Sequence, residues 1–192
     1  MGWLLRPKFQ QSILLKEVSK AMLQEVVWRE DGQVPTVDDY LKEAATMSTF
    51  YLPLSIVAFV GMDGSDEVMI WARSFPKIIE SATTICRLMD DISGHEDEKE
   101  RTKCVTAVDC YVKEHGGTVE QAKQALSCIV EEHWRRINQE FLSNNVIPFP
   151  LLMCVINLAR VMAGLYSVSD GYTKCSEVAD YIHKVLNECV DH

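Results

Sequence analysis

The residues best suited to chemistry lie in RLMDDISGHEDEKE, Arg87 to Glu100, which contains Asp90, Asp91, Glu96, Asp97, Glu98 and Glu100. On a helix, positions 90, 94 and 98 advance around the axis by only ~40° per step, so they share one face. Asp90 and Glu98 then stand two turns apart on one side, with Gly94 between them. Two carboxylates flanking a gap that water can enter suit Mg2+, a hard cation that keeps several waters and shares substrate phosphate oxygens. A divalent cation would also relieve the repulsion between clustered carboxylates. The alternative is a solvated acidic helix face, with Lys99 and Arg101 supplying i,i+4 ion pairs. Two features favour the metal. The acids follow directly on the apolar run IIESATTICRLM, and Arg87 lies where it can pair with an acid or with a bound phosphate.

These residues need a helical scaffold, and the pattern is helical almost throughout. From Lys8 to Arg29 the apolar positions Ile13, Leu14, Val18, Met22, Val26 and Val27 mark a buried stripe. Asp31-Gly32 is a turn signal, and Pro35 suits the start of a short amphipathic helix, TVDDYLKEAATMS, with Asp38 and Asp39 at the positive end of its dipole. The apolar stretch Ser48–Gly61, interrupted by Pro53, reads as a kinked buried helix. A short helix then opens at Ser65-Asp66-Glu67, and Pro76 starts the long helix that carries the acids. Further helices are predicted near Thr102–His115, Thr118–Leu142, Pro148–Val168 and Ser176–Cys189. Gly116-Gly117 and NNVIPFP separate them, and Thr118 with Gln121 forms a capping-box signal. The fold class is all-α, as a helical bundle.

The totals agree with one domain. The chain has 192 residues, 47% hydrophobic and 24% charged, with a formal net charge of -9. That charge argues against a nucleic-acid or anionic-membrane surface, and a phosphorylated ligand would need cations as intermediaries. No apolar run spans a bilayer, and MGWLLRPKFQQ does not read as a secretory signal. The seven cysteines contain no CxxC and read as buried, reduced thiols.

ICRLMDDISGHEDE resembles the second metal-binding motif of plant terpene synthases, [N/D]D[L/I/V]x[S/T]xxxE. VPTVDDYLKEA, FVGM, the tryptophan and FPKI of WARSFPKI, VDCYVKEHGGT, EEHWRRINQEFL, INLARVM and DGYT follow in family order, so the resemblance covers nearly the whole chain. It is strongest to the cytosolic sesquiterpene synthases of flowering plants, which implies a cytoplasmic location. The resemblance implies a class I terpenoid synthase bundle, of which residues 1–192 are the later helices, the C-terminal part of the catalytic domain. It implies Mg2+, or Mn2+, and a prenyl diphosphate substrate, typically farnesyl diphosphate, that is ionised and cyclised.

By position, Asp90 and Glu98 would be metal ligands, Asp90 and Arg87 would face the diphosphate, and Gly94 stands where the pattern has Ser or Thr, so water would complete that ligand site. Tyr166, Asp170 and Tyr172 match the Tyr…Asp-x-Tyr region over the active site, where aromatics shield or steer the carbocation; taken alone, these residues also read as a packed tyrosine and an Asp-Gly turn. Ser48-Thr49-Phe50-Tyr51 falls where relatives break a helix to aim carbonyls into the pocket.

The family's first motif, DDxxD, has no counterpart: Asp38-Asp39-Tyr40-Leu41-Lys42 ends in lysine and aligns with a different helix. The chain is therefore expected to begin inside the catalytic domain and not to turn over substrate alone. The open face would invite self-association. The alternative function is a non-catalytic, truncated helical protein with an interaction role.

Overall fold

A computed structural model describes residues 5–42, 66–101, 103–144, 146–167, 170–171 and 174–187. Every regular element among the described residues is helical. In chain order they are α1 (Leu5–Glu30), α2 (Val37–Tyr40), α3 (Asp66–Arg73), α4 (Lys77–Arg101), α5 (Ala107–His115), α6 (Val119–Ser143), α7 (Phe149–Leu165), a 3-10 turn (Cys175–Val178) and α8 (Ala179–Asn187).

α4 is the organising element. Its first half is apolar or small nearly all round: Ile78, Ile79, Ala82, Thr83, Ile85 and Leu88 are buried. A helix with no polar face must be covered on several sides, and α6, α7 and α5 pack against it. Their contributions include Leu126 and Ile137 from α6, Val155 and Ala159 from α7, and Val108 from α5. Thr83 and Thr84 hide their hydroxyls by donating to the carbonyls of Ile79 and Glu80, one turn back.

Local chemistry sets most helix ends. Thr118 and Gln121 form the anticipated capping box of α6. A second box, Thr106 with Asp109, starts α5 at Ala107, five residues later than the pattern suggested. The hydroxyl of Thr106 accepts from the Asp109 N–H while the Asp109 carboxylate takes the Thr106 N–H, so the first turn of α5 is satisfied there. α2 is capped by Thr36 rather than begun by Pro35, with Asp38 and Asp39 in its first turn as expected. Gly116 (φ 73°) and Gly117 (φ 93°) close α5 in the left-handed region, which favours glycine.

Two expectations need correction. On α1 the side chains of Ile13 and Leu14 lie outside those described; of the other expected stripe positions Val18 is buried, whereas Met22, Val26 and Val27 are exposed and Ala21 and Trp28 are buried instead. Periodicity identified an apolar helix but could not say which neighbours cover its stripe. Among the described cysteines only Cys86 and Cys110 are buried, and Cys128 and Cys175 are exposed, although all six are free thiols. The kinked helix expected at 48–61 and Cys189 lie outside the described residues. No described helix is long and apolar enough to cross a membrane.

Candidate metal-binding wall

The acidic run is not a helix end: α4 continues through it to Arg101. Consecutive helix positions point about 100° apart, so Asp90 and Asp91 go to different surroundings. Asp91 turns inward, its side chain 1% exposed, and meets Arg87 with Oδ1 2.9 Å from Nε. Its other oxygen accepts the Ala107 N–H at 2.6 Å, satisfying a free donor at the start of α5. Arg87 Nε also donates to the Tyr40 hydroxyl at 2.9 Å, and its Nη1 lies 3.6 Å from Glu25 on α1. Burial pushes the Asp91 carboxyl up, opposed by the Arg87 charge and by hydrogen bonds from Ala107 and Tyr40. This network joins α1, α2, α4 and α5.

Asp90 faces the other way, toward Gly94, Glu98, Tyr166 and Asp170. A methyl group placed on Gly94 would stand 3.8 Å from Glu98 Cγ, 3.9 Å from Asp170 Cβ and 4.0 Å from Asp90 Oδ1. Three carboxylate side chains therefore surround one bare helix position. Asp170 arrives from the segment after α7, where it is buried. Tyr166, at the end of α7, hydrogen-bonds to Asp90. Burial raises the Asp90 carboxyl to about 7, with the charges of Asp91, Asp170 and Glu98 pushing the same way and Arg87 opposing. Burial also pushes the Tyr166 phenol well up, reinforced by Asp90.

Two more acids of the run, Glu96 and Asp97, belong to the scaffold. Glu96 pairs with Lys123 on α6 at 2.9 Å, and Asp97 pairs with Lys174 at 2.6 Å. Lys99, expected to pair along its own helix, reaches Asp109 on α5 at 3.2 Å. The run thus divides between two faces of one helix, Glu96, Asp97 and Lys99 pairing with neighbouring segments and Asp90 and Glu98 facing Gly94.

Of the residues singled out from sequence, the structure brings Asp90, Gly94, Glu98, Tyr166 and Asp170 together. Arg87 sends its charge toward Asp90, but its guanidinium is engaged by Asp91, Glu25 and Tyr40. Tyr172 and Ser48–Tyr51 lie outside the described residues. Sequence reasoning missed Tyr40, Glu25 and the structural role of Asp91. The only signal for Tyr40 was its place in a short amphipathic segment, and nothing local links it to Arg87, 47 positions away.

The donor set fits Mg2+: hard carboxylate oxygens, and an Asp90 carboxyl raised by burial and by the neighbouring acid charges, which a cation would offset. Among the described residues no group of three or more His, Cys, Asp or Glu side chains is arranged to hold an ion. The cluster can therefore offer part of a coordination shell, with water and substrate oxygens supplying the rest.

Residues 8–136 match the terpene synthase family, metal binding domain. Similar proteins include probable terpene synthase 2 of Ricinus communis, 38% identical over 85% of this chain and 30% of its own length. The (-)-germacrene D synthase of Vitis vinifera is 35% identical over 90% of this chain and 31% of its own length. Among solved structures, isoprene synthase from grey poplar leaves, in complex with three Mg2+ ions and dimethylallyl-S-thiolodiphosphate, superposes with a TM-score of 0.74 at 26% identity, over 82% of this chain and 30% of that one. Abietadiene synthase from Abies grandis gives a TM-score of 0.80 at 23% identity, over 94% of this chain and 24% of that one. The chain thus spans about 30% of the length of the curated relatives it matches. With its all-α class I terpenoid synthase fold and this acidic wall on α4, the chain belongs to the terpene synthase family.

Proposed function

We propose that the protein supplies the second metal-binding wall of a sesquiterpene synthase site, with Asp90 and Glu98 as Mg2+ ligands and farnesyl diphosphate as substrate. Mn2+ has the same kind of oxygen-donor chemistry and is an alternative ion. The observation that carries this reading is the convergence of Asp90, Glu98 and Asp170 on Gly94. The fold and the family point the same way, and the relatives named sesquiterpene synthase support the substrate class. Residues 1–192 would make up the later part of the catalytic domain, working in the cytosol.

A bound Mg2+ would supply Lewis-acid neutralisation of charge on the departing diphosphate. The chain's own residues prepare for it. Asp90 would hold the ion as a carboxylate, and a value of about 7 would let it give up its proton at neutral pH. The Tyr166 hydrogen bond orients the Asp90 carboxylate, and Glu98 faces the same gap two turns on. Gly94 leaves that gap open to a water in place of a hydroxyl. In this reading Arg87 favours the ionised form of Asp90, and it would meet a diphosphate only by giving up part of its contact with Asp91, Glu25 and Tyr40. Tyr166, Asp170 and Tyr172 would line the approach to the substrate. Carboxylates for further ions, the part a DDxxD motif plays, have no counterpart in the 192 residues, so these residues alone are proposed not to turn over substrate.

Calorimetric titration with farnesyl diphosphate tests the site. Binding should require Mg2+ and disappear in Glu98→Gln. Binding of equal strength without a divalent ion would remove the basis of the reading. Any sesquiterpene formed above a Glu98→Ala control, read by gas chromatography, would overturn the expected inactivity.

One observation favours the alternative of a non-catalytic interaction role: Met22, Leu23, Val26 and Val27 leave an apolar strip on α1, with Leu23 62% exposed. Self-association through this strip should appear as a dimer in sedimentation and vanish in Leu23→Lys.

A further inference from the structure

Asp170 comes to the carboxylate cluster from a separate segment, so something must hold that segment against α4. Two contacts do so. On the α7 side, the Gly171 N–H donates to the Leu165 carbonyl at 3.1 Å. A Cβ on Gly171 would stand 2.4 Å from that oxygen, a backbone approach that glycine alone permits. On the α4 side, Lys174 Nζ lies 2.6 Å from Asp97 Oδ2, and the Lys174 N–H donates to the Asp170 carbonyl at 2.8 Å. The ion pair therefore joins the residue before Glu98 to the residue whose amide holds Asp170.

We propose that Lys174 is a positioning residue, and that its pair with Asp97 holds Asp170 over the Asp90–Glu98 wall. This role rests on the proposed Mg2+–diphosphate function of that wall. Asp97 is adjacent to Glu98 but points about 100° away from it, so it grips the neighbouring segment without entering the gap. Both side chains are partly exposed, with Lys174 at 42% and Asp97 at 31%. The effect of breaking the pair is therefore modest, about two- to five-fold on an equilibrium that depends on it. A competing role for Lys174 is direct attraction of the anion. The two roles predict opposite results when Asp97 is neutralised, because a released lysine would be freer to meet the diphosphate.

The test uses the full chain, inorganic pyrophosphate as ligand and Mg2+ titrated by calorimetry, with amide exchange followed by NMR. Lys174→Met and Asp97→Asn should each raise the Mg2+ concentration needed for half-maximal pyrophosphate binding about two- to five-fold. The double variant should be no worse than either single one, and Lys174→Arg should restore binding. Exchange at the Gly171 and Lys174 amides should quicken in both single variants while the melting temperature stays within a degree or two. Tighter binding in Asp97→Asn, additive losses, or unchanged exchange would each overturn the positioning role. If wild-type protein binds pyrophosphate without needing Mg2+, the metal-wall function fails and takes this role with it. If binding needs Mg2+ and the variants match wild type, the positioning role alone fails.

Discussion

Replacing Asp91 with alanine separates the two neighbouring aspartates of α4 by what each does. In the folded protein Asp91 balances Arg87, whose side chain is 13% exposed, and accepts the first N–H of α5 and the Tyr40 hydroxyl. Its removal strands a buried guanidinium, beside which Glu25 at 3.6 Å is the nearest other acid. Breaking a buried ion pair from one side costs about 3–5 kcal/mol, and an orphaned buried N–H costs about 1–3 kcal/mol. The two losses overlap, because water entering for one group reaches the other, so roughly 4 kcal/mol is expected. With an m-value of about 2–3 kcal/mol/M, the urea midpoint should fall by about 1.3–2 M, read by circular dichroism at pH 7.5. Asp91→Asn keeps an acceptor for Ala107 and should lose about half as much. A midpoint within ~0.3 M of wild type in Asp91→Ala would refute the assignment of Asp91 to the scaffold.

Asp90→Asn should behave in the opposite way. The folded-state carboxyl is raised from 3.8 to about 7, so the stability its protonated form contributes is complete below about 3.8 and lost as the pH rises through 7. Asparagine escapes that loss, so the variant should be more stable than wild type at pH 8 by at most about 4 kcal/mol, and the gap should close toward pH 4. Thermal melts across this range check it, and equal stability at pH 8 would count against the clustered-carboxylate geometry. Gly94→Ser should fit without strain, because its Cβ meets neighbours at ordinary contact distances of 3.8 Å or more. It should stabilise α4 by about 0.5 kcal/mol through helix propensity and lower the Mg2+ concentration needed for diphosphate binding. A weaker Mg2+ response in that variant would argue that the gap at Gly94 must stay open.

Much of the scaffold was legible because its signals are local. The α6 capping box needs only Thr118 and Gln121, three residues apart, and the second one, Thr106 with Asp109, escaped notice because the helical pattern was carried back to Thr102. The 90, 94, 98 face follows from helix geometry once α4 is helical. The stripe on α1 was misread for the converse reason: periodicity marks an apolar face, while burial depends on which elements arrive to cover it.

By itself, then, the sequence determined an all-helical chain, a long helix carrying six acids, and a spacing that puts Asp90 and Glu98 on one side. Tertiary structure decided which acids form a cluster and which serve the scaffold. Asp90 and Asp91 have the same side chain and the same local sequence. Asp91 meets Arg87, Tyr40 and the start of α5, and Asp90 meets Tyr166 and the Asp170 segment. The physical reason is that a carboxylate's role is set by the charges, donors and burial around it, and here nearly all of these come from parts of the chain far away in sequence.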